Sequence, residues 1–285
     1  MKITDVQACV VGRNEPHSGG SVWTFVRIYT DEGITGTGEC NSAGTFTSGF
    51  ATKETVLTLK SLLIGEDPSN IGPLYETMRR RGRYGGGSSA PFTFALTGIE
   101  NALFDIVGKA LGVPVYKLLG GQFRDRIRLY ADCHAGETND PAAYAAKAQE
   151  VVAEGYTAVK FDVDHKAEAK LDRYNWTAGA AEMTHIIDLI AATREGIGYD
   201  IDLAIDCHGQ FDLPSAITLA KAVEDLRLLW LEEPLPAENI DALAQVRAST
   251  STVICTGENH YTRYDFLELL RQQAGDVIMP DLAKA

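Results

Sequence analysis

Asp206 and His208 stand two residues apart where the apolar run 201–205 stops, and two further acids, Glu232 and Glu258, continue from Asp206 at intervals of 26 residues. Three oxygen donors with no sulfur ligand among them describe a hard-cation site suited to Mg²⁺, which leaves room for water or substrate. An imidazole beside such a site is placed to move a proton. Side chains at i and i+2 of a strand share a face, so strand parity predicts that His208 enters the cavity of Asp206. The same parity pairs Lys160 with Asp162 and Glu258 with His260.

These residues need a scaffold that brings successive strand ends together. Apolar runs at 127–131, 157–161, 201–205, 227–231, 253–256 and 277–279 alternate with helical stretches such as Ala142 to Glu154, Ala180 to Arg194 and Ser215 to Glu224. Repeated βα units of this kind make a parallel sheet, open or closed into a barrel. Five of the runs end in charge: Lys160-Phe161-Asp162, Asp206-Cys207-His208, Glu232-Glu233-Pro234, Glu258-Asn259-His260 and Asp281-Leu282-Ala283-Lys284. In a barrel such ends converge on one mouth, where the chemistry is kept.

The first part of the chain is built differently. "VWTFVRIYTDEGITGTGE" reads as a hairpin of Val22 to Thr30 and Ile34 to Glu39 about Asp31-Glu32-Gly33, followed by helices over Lys53 to Leu63, Leu74 to Arg80 and "FALTGIENALFDIVGKALG". The expected organisation is an α+β domain over residues 1–124 and a βα domain over 125–285. Loops "RNEPHSGG" (13–20) and "RYGGGSS" (83–89) are placed to read the far end of a substrate, with Arg83 and Tyr84 as contacts.

Composition excludes several classes of function. A formal net charge of −13 repels a phosphate backbone, and "RRRGR" at 79–83 is too short to reverse it, so nucleic acid is not an expected partner. No run of some 18 apolar residues and no signal-peptide pattern is present, which predicts a soluble, cytoplasmic protein with no membrane partner. Five scattered cysteines, an odd number with no C-x-x-C pair, read as reduced thiols and not as a disulfide framework or zinc site. "GITGTGEC" has its G-x-G in a hairpin and lacks the third glycine of a dinucleotide fingerprint, and "NWT" at 175–177 matches a glycosylation sequon by chance.

Taken together, "GIENALFDIVGKALGVPVYKLLGG" (98–121), "DCHG", "LEEP", "GEN" and "MPDLAK" resemble the mandelate racemase group of the enolase superfamily, over the whole chain. The resemblance implies a capping domain over a modified (β/α) barrel, Mg²⁺ held by Asp206, Glu232 and Glu258, and removal of the proton α to a carboxylate. Racemases of the group carry K-x-K at the end of the second barrel strand, whereas here the second position is Asp162, which leaves Lys160 as an electrostatic helper or substrate contact. "DCHG" is similar to the D-x-H-G of acid-sugar dehydratases, where the histidine is acid or base. The expected activity is therefore Mg²⁺-dependent dehydration of a sugar acid, with Lys160, His208 and Asp281 catalytic and with Asp162, His260 and Lys284 among the substrate contacts. The alternatives are a racemase or epimerase on the same scaffold, or a noncatalytic fragment or assembly subunit. A homo-oligomer is expected. A complete barrel takes about 250 residues, and the resemblance implies two strands beyond "PDLAKA" with a histidine to pair with Asp281. The sequence is thus expected to be a truncated form of a longer protein.

Overall fold

The computed structural model of the protein describes residues 1–12, 22–41, 46–82, 90–136, 138–163 and 177–284. The chain forms two compact units. One comprises Met1–Asp125 with Tyr261–Arg263 and Asp281–Ala285, and the other comprises Arg126–His260 with Tyr264–Pro280. Two short later segments therefore group with the N-terminal part, which a single boundary near residue 125 does not foresee.

The first unit holds a three-stranded antiparallel sheet, β1 (Ile3–Gly12), β2 (Val22–Thr30) and β3 (Thr35–Asn41), with β2 in the middle. The predicted hairpin is thus two thirds of the sheet. The missing strand escapes a period-2 reading because its register shifts between Ile3 and Asp5, so the inward series changes parity from Ile3 to Val6 and Ala8. Helices α1 (Phe46–Leu59), α2 (Ile71–Arg81), α3 (Ala90–Leu111) and the short α4 (Val115–Leu118) complete the unit. Helix α1 begins seven residues earlier than its apolar pattern suggests. Its core is Val6, Val26, Ile28, Val56, Leu63, Met78, Ile99, Leu103 and Ile106.

The G-x-G of β3 has a packing explanation. A Cβ on Gly36 would lie 2.0 Å from the Ala102 carbonyl oxygen, and one on Gly38 would lie 2.0 Å from that of Gly98. The two glycines let the α3 backbone lie directly on the strand. Gly38→Ala is expected to destabilise the protein by about 1–3 kcal/mol, the usual cost of overpacking a site whose neighbour is backbone. A urea midpoint equal to that of the parent would contradict this.

The second unit is a six-stranded, all-parallel sheet in sequence order: β4 (Ala131–Asp132), β5 (Ala158–Asp162), β6 (Asp202–Asp206), β7 (Trp230–Glu232), β8 (Ile254–Thr256) and β9 (Val277–Ile278). Between them run α5 (Pro141–Ala153), α6 (Ala180–Ile197), α7 (Leu213–Ala222), α8 (Ile240–Ala248) and α9 (Thr262–Gln272), the last beginning within a segment that groups with the first unit. Asp140, Asp212 and Asn239 cap the starts of α5, α7 and α8, accepting backbone N–H bonds from Ala142, Ser215 and Ala242. Val159, Phe161, Leu203, Ile205, Leu231 and Ile254 pack with Ile190, Leu219 and Val246 in one core. Every residue of β5 is buried, including Lys160 and Asp162, as expected of a central parallel strand covered on both faces.

All five cysteines are free thiols, Cys9 exposed and the other four buried. Among the described residues no helix is long and apolar enough to cross a membrane.

Candidate functional site

Strand register gathers charge at the carboxyl ends of the sheet. Asp132 is level with Lys160, Asp162 with Asp206, and Asp206 with Glu232. Alternation turns Val159, Phe161, Leu203 and Ile205 into the core and leaves the polar residues on the opposite face. The Lys160 ammonium lies 2.6 Å from Asp206 Oδ2 and 3.4 Å from Glu232 Oε2. Trp230 Nε1 donates to the same Glu232 oxygen at 3.0 Å, and the ammonium faces the Tyr130 ring at 5.8 Å from its centroid. Asp206 and Glu232 are each 1% exposed. Two buried carboxylates thus share one buried cation.

The titration behaviour follows from this crowding. Burial disfavours the charged form of Lys160, but the charges of Asp206 and Glu232 and the hydrogen bond to Asp206 outweigh it, so the ammonium is held protonated. Burial and the neighbouring Asp206 charge push Glu232 up to about 7, against the opposing pull of Lys160 and Trp230. A carboxylate raised in the folded state favours folding below its unfolded value and loses that contribution as pH rises through the folded one. In the presence of a chelator, the Glu232 contribution should therefore fall between about pH 4.5 and 7. Glu232→Gln lacks this titration, so its urea midpoint should gain on that of the parent from pH 5 to pH 8; a difference independent of pH would contradict the assignment.

The second layer of the site contains the imidazoles. His208 Nε2 is 3.6 Å from Asp206 Oδ2, and its backbone N–H donates to Asp206 Oδ1 at 3.1 Å. Strand parity is not what brings it there. Strand β6 ends at Asp206, and His208 takes a left-handed backbone, φ 46°, a conformation that non-glycine residues adopt at some cost. Glu233, directly after β7, does the same with φ 39°. The ladder nevertheless continues, with Cys207 N–H on the Glu232 carbonyl at 3.0 Å and Gly209 N–H on that of Glu233 at 2.7 Å.

Sequence reading missed Asp132 and His134. His134 Nε2 is 3.2 Å from Asp162 Oδ2 and 3.9 Å from Asp132 Oδ1. Burial pushes the Asp162 carboxyl up, and the hydrogen bond from His134 with the charges of His208 and Lys160 brings it below its ordinary value. The signal was present: "DCH" at 132–134 repeats the "DCH" at 206–208. Among the described residues, two groups of three could hold a metal ion, each with ligand atoms within 4.8 Å of one another: Asp132, His134 and Asp162, and Asp162, Asp206 and His208.

Other predicted residues stand differently. Glu258 is half-buried at the turn beyond β8, and its charge is among those acting on Glu232, but it does not join Asp206 and Glu232 in a group of that tightness. Parity fails for His260, since β8 ends at Thr256 and His260 N–H closes a turn onto the Gly257 carbonyl. The ring is buried and stands edge-on to Phe266 at 6.1 Å. Asp281 and Lys284 lie past β9 in a segment that groups with the first unit, 3.4 Å from each other, with Asp281 Oδ1 accepting the Ala283 N–H. Arg83 and Tyr84 lie outside the described residues.

Residues 143–285 match the enolase C-terminal domain-like family, and residues 17–120 match the mandelate racemase / muconate lactonizing enzyme N-terminal domain. The chain is 40% identical to a D-xylonate dehydratase of Haloferax volcanii, covering 99% of this chain and 66% of that protein. It is 36% identical to a D-galactonate dehydratase of Xanthomonas campestris pv. campestris, covering 92% and 65%. It therefore spans about two thirds of the length of these curated relatives. Among solved structures, a mandelate racemase/muconate lactonizing enzyme-like protein from Rubrobacter xylanophilus superposes with a TM-score of 0.90 at 42% identity, covering 99% of this chain and 73% of that one. A mandelate racemase/muconate lactonizing enzyme from Sulfitobacter gives 0.86 at 29% identity, covering 100% and 72%. With both family domains matched in order on this fold, the chain belongs to the mandelate racemase / muconate lactonizing enzyme family of the enolase superfamily.

Proposed function

We propose that the protein dehydrates a sugar acid, with Mg²⁺ as cofactor, by removing the proton at C2 and expelling the hydroxyl at C3. The observation that carries this reading is the buried Lys160–Asp206–Glu232 cluster with His208 at its edge. The dehydratase names of the curated relatives support the reaction class.

The residues fit a divalent cation. Glu232 Oε1 is buried and has no hydrogen-bond partner among the described residues, which leaves a hard acceptor oxygen on the polar face of the sheet. Asp206 and Glu232, with Glu258, are the residues that would hold Mg²⁺. When bound, the ion stabilises the second negative charge that an ene-diolate gathers on the substrate carboxylate. The chain's own groups supply the remainder. Lys160, kept cationic, adds positive charge beside that carboxylate. His208 handles a proton at the substrate carbon chain. The C2 proton goes to a base, the C3 hydroxyl leaves as water after taking a proton, and the enol gains a solvent proton at C3 to give a 2-keto-3-deoxy acid. Asp162 stands where racemases have a lysine, which favours elimination over inversion at that face.

Asp281, Lys284, His260, Arg83 and Tyr84 enter this reading through the sequence alone, as does a capping role for residues 1–124. A barrel of eight βα units, to which the six parallel strands seen here would belong, is the corresponding reading of the fold. Free thiols support a reducing, cytoplasmic setting. The test is a panel of aldonates and aldarates incubated with the protein and Mg²⁺, with 2-keto acid formation as readout. Turnover on at least one pentonate or hexonate is expected, and failure across the panel would overturn the proposal.

A further inference from the structure

We propose that His134, held by Asp162, is a second substrate-contacting imidazole of this site and binds a hydroxyl of the polyhydroxy acid; the inference rests on the dehydratase reading above. Two independent observations lead there. The first is the pair itself. Asp162 is largely covered, its side chain 12% exposed, whereas the His134 and His208 side chains keep 29% and 38%. A covered carboxylate thus backs a partly exposed imidazole just beyond the strand end, and the 3.2 Å contact orients the ring. Asp162 also offers an oxygen within 4.8 Å of ligand atoms of both Asp206 and His208, so one carboxylate lies close to both imidazoles.

The second observation is the repeat. Cys133 and Cys207, the middle residues of the two "DCH" tripeptides, are both buried in the same core as Phe161 and Ile205. Their N–H groups each extend the ladder to the next strand, Cys133 to the Lys160 carbonyl at 2.8 Å and Cys207 to that of Glu232 at 3.0 Å. With both thiols in the core, His134 Nε2 lies 3.9 Å from Asp132 Oδ1 and His208 Nε2 lies 3.6 Å from Asp206 Oδ2, so two strand ends present a similar Asp–His arrangement two strands apart. A polyhydroxy acid carries a hydroxyl on each carbon beyond the carboxylate and needs a partner for each that it buries. An imidazole fixed by a carboxylate meets that need without the ordering cost of a mobile side chain. His134 is then a substrate contact, and Asp162 its positioning residue.

The experiment uses the full chain with Mg²⁺ and the best aldonate from the panel, with His134→Gln, Asp162→Asn and the double variant, and His134→Asn as a second choice should the glutamine variant misfold. KM is expected to rise at least about tenfold in His134→Gln while kcat stays within about threefold. The KM effect of Asp162→Asn should vanish in the His134→Gln background, since it acts through that ring. In parallel, ¹⁵N-histidine-labelled parent protein is titrated with D-xylonate and with D-galactonate, and the His134 ring signals, assigned by their loss in the variants, are expected to shift. An active parent whose KM is unchanged in His134→Gln, or whose His134 signals do not move, overturns this inference and leaves the dehydratase reading standing. An inactive parent whose His134 signals still shift overturns the dehydratase reading and keeps the contact. An inactive parent with unmoved signals overturns both.

Discussion

Asp206→Ala is expected to destabilise the protein by about 3–5 kcal/mol, the scale on which removal of one partner from a buried ion pair is felt. The cause is what remains behind. Lys160 would keep its charge in a buried position with Glu232, at 3.4 Å, as its remaining ion-pair partner among the described residues, and the His208 N–H would lose its acceptor at 3.1 Å. Asp206→Asn separates the two effects, because the amide oxygen can still accept from His208 while the charge is gone. It should recover part of the stability and none of the cation affinity. An unfolding free energy from urea titration of Asp206→Ala within about 1 kcal/mol of the parent's would show that the cluster is not coupled to folding.

His208→Asn is expected to lower kcat by about 10²-fold or more, the ordinary scale of acid–base catalysis, while leaving the fold and cation affinity close to those of the parent. The structural reason for the small effect on folding is that the His208 backbone N–H, which the variant keeps, donates to Asp206, and that the side chain is 38% exposed. Asparagine is also, after glycine, among the residues best suited to the left-handed φ of 46° at this position. Full activity in His208→Asn would move the proton-transfer role elsewhere, and Lys160, the nearest candidate by position, is held protonated and poorly suited to act as a base.

The second unit is legible in the sequence wherever strong local signals coincide. Buried apolar runs mark β5 and β6 almost to the residue, and Asp140-Pro141, Asp212 and Asn239 mark the helix starts because each supplies a cap. The first strand of this sheet shows where such signals mislead. The run at 127–131 is apolar, yet Ile127 and Leu129 are exposed and only Ala131 and Asp132 pair with β5. Placing the strand end too early hid Asp132 and His134, although their tripeptide repeats the one at 206–208. At the site, 26-residue spacing correctly anticipates that Asp206 and Glu232 are neighbours, since β6 and β7 pair at those two residues. Parity carries no weight beyond a strand's last paired residue. His208 approaches Asp206 through a left-handed turn, and His260 turns into the packing around Phe266.

The most direct measurement is ¹H NMR of the aldonates and aldarates of the panel, D-xylonate and D-galactonate among them, incubated in D₂O with the protein and Mg²⁺. Elimination across C2 and C3 followed by protonation of the enol from solvent predicts a 2-keto-3-deoxy acid carrying one deuterium at C3, formed by the parent and not by Asp206→Asn or Glu232→Gln. Starting acid that returns with deuterium at C2, with or without inversion and with no keto acid, would show proton abstraction without elimination. Such a result, or acids left unchanged and undeuterated, would contradict the account.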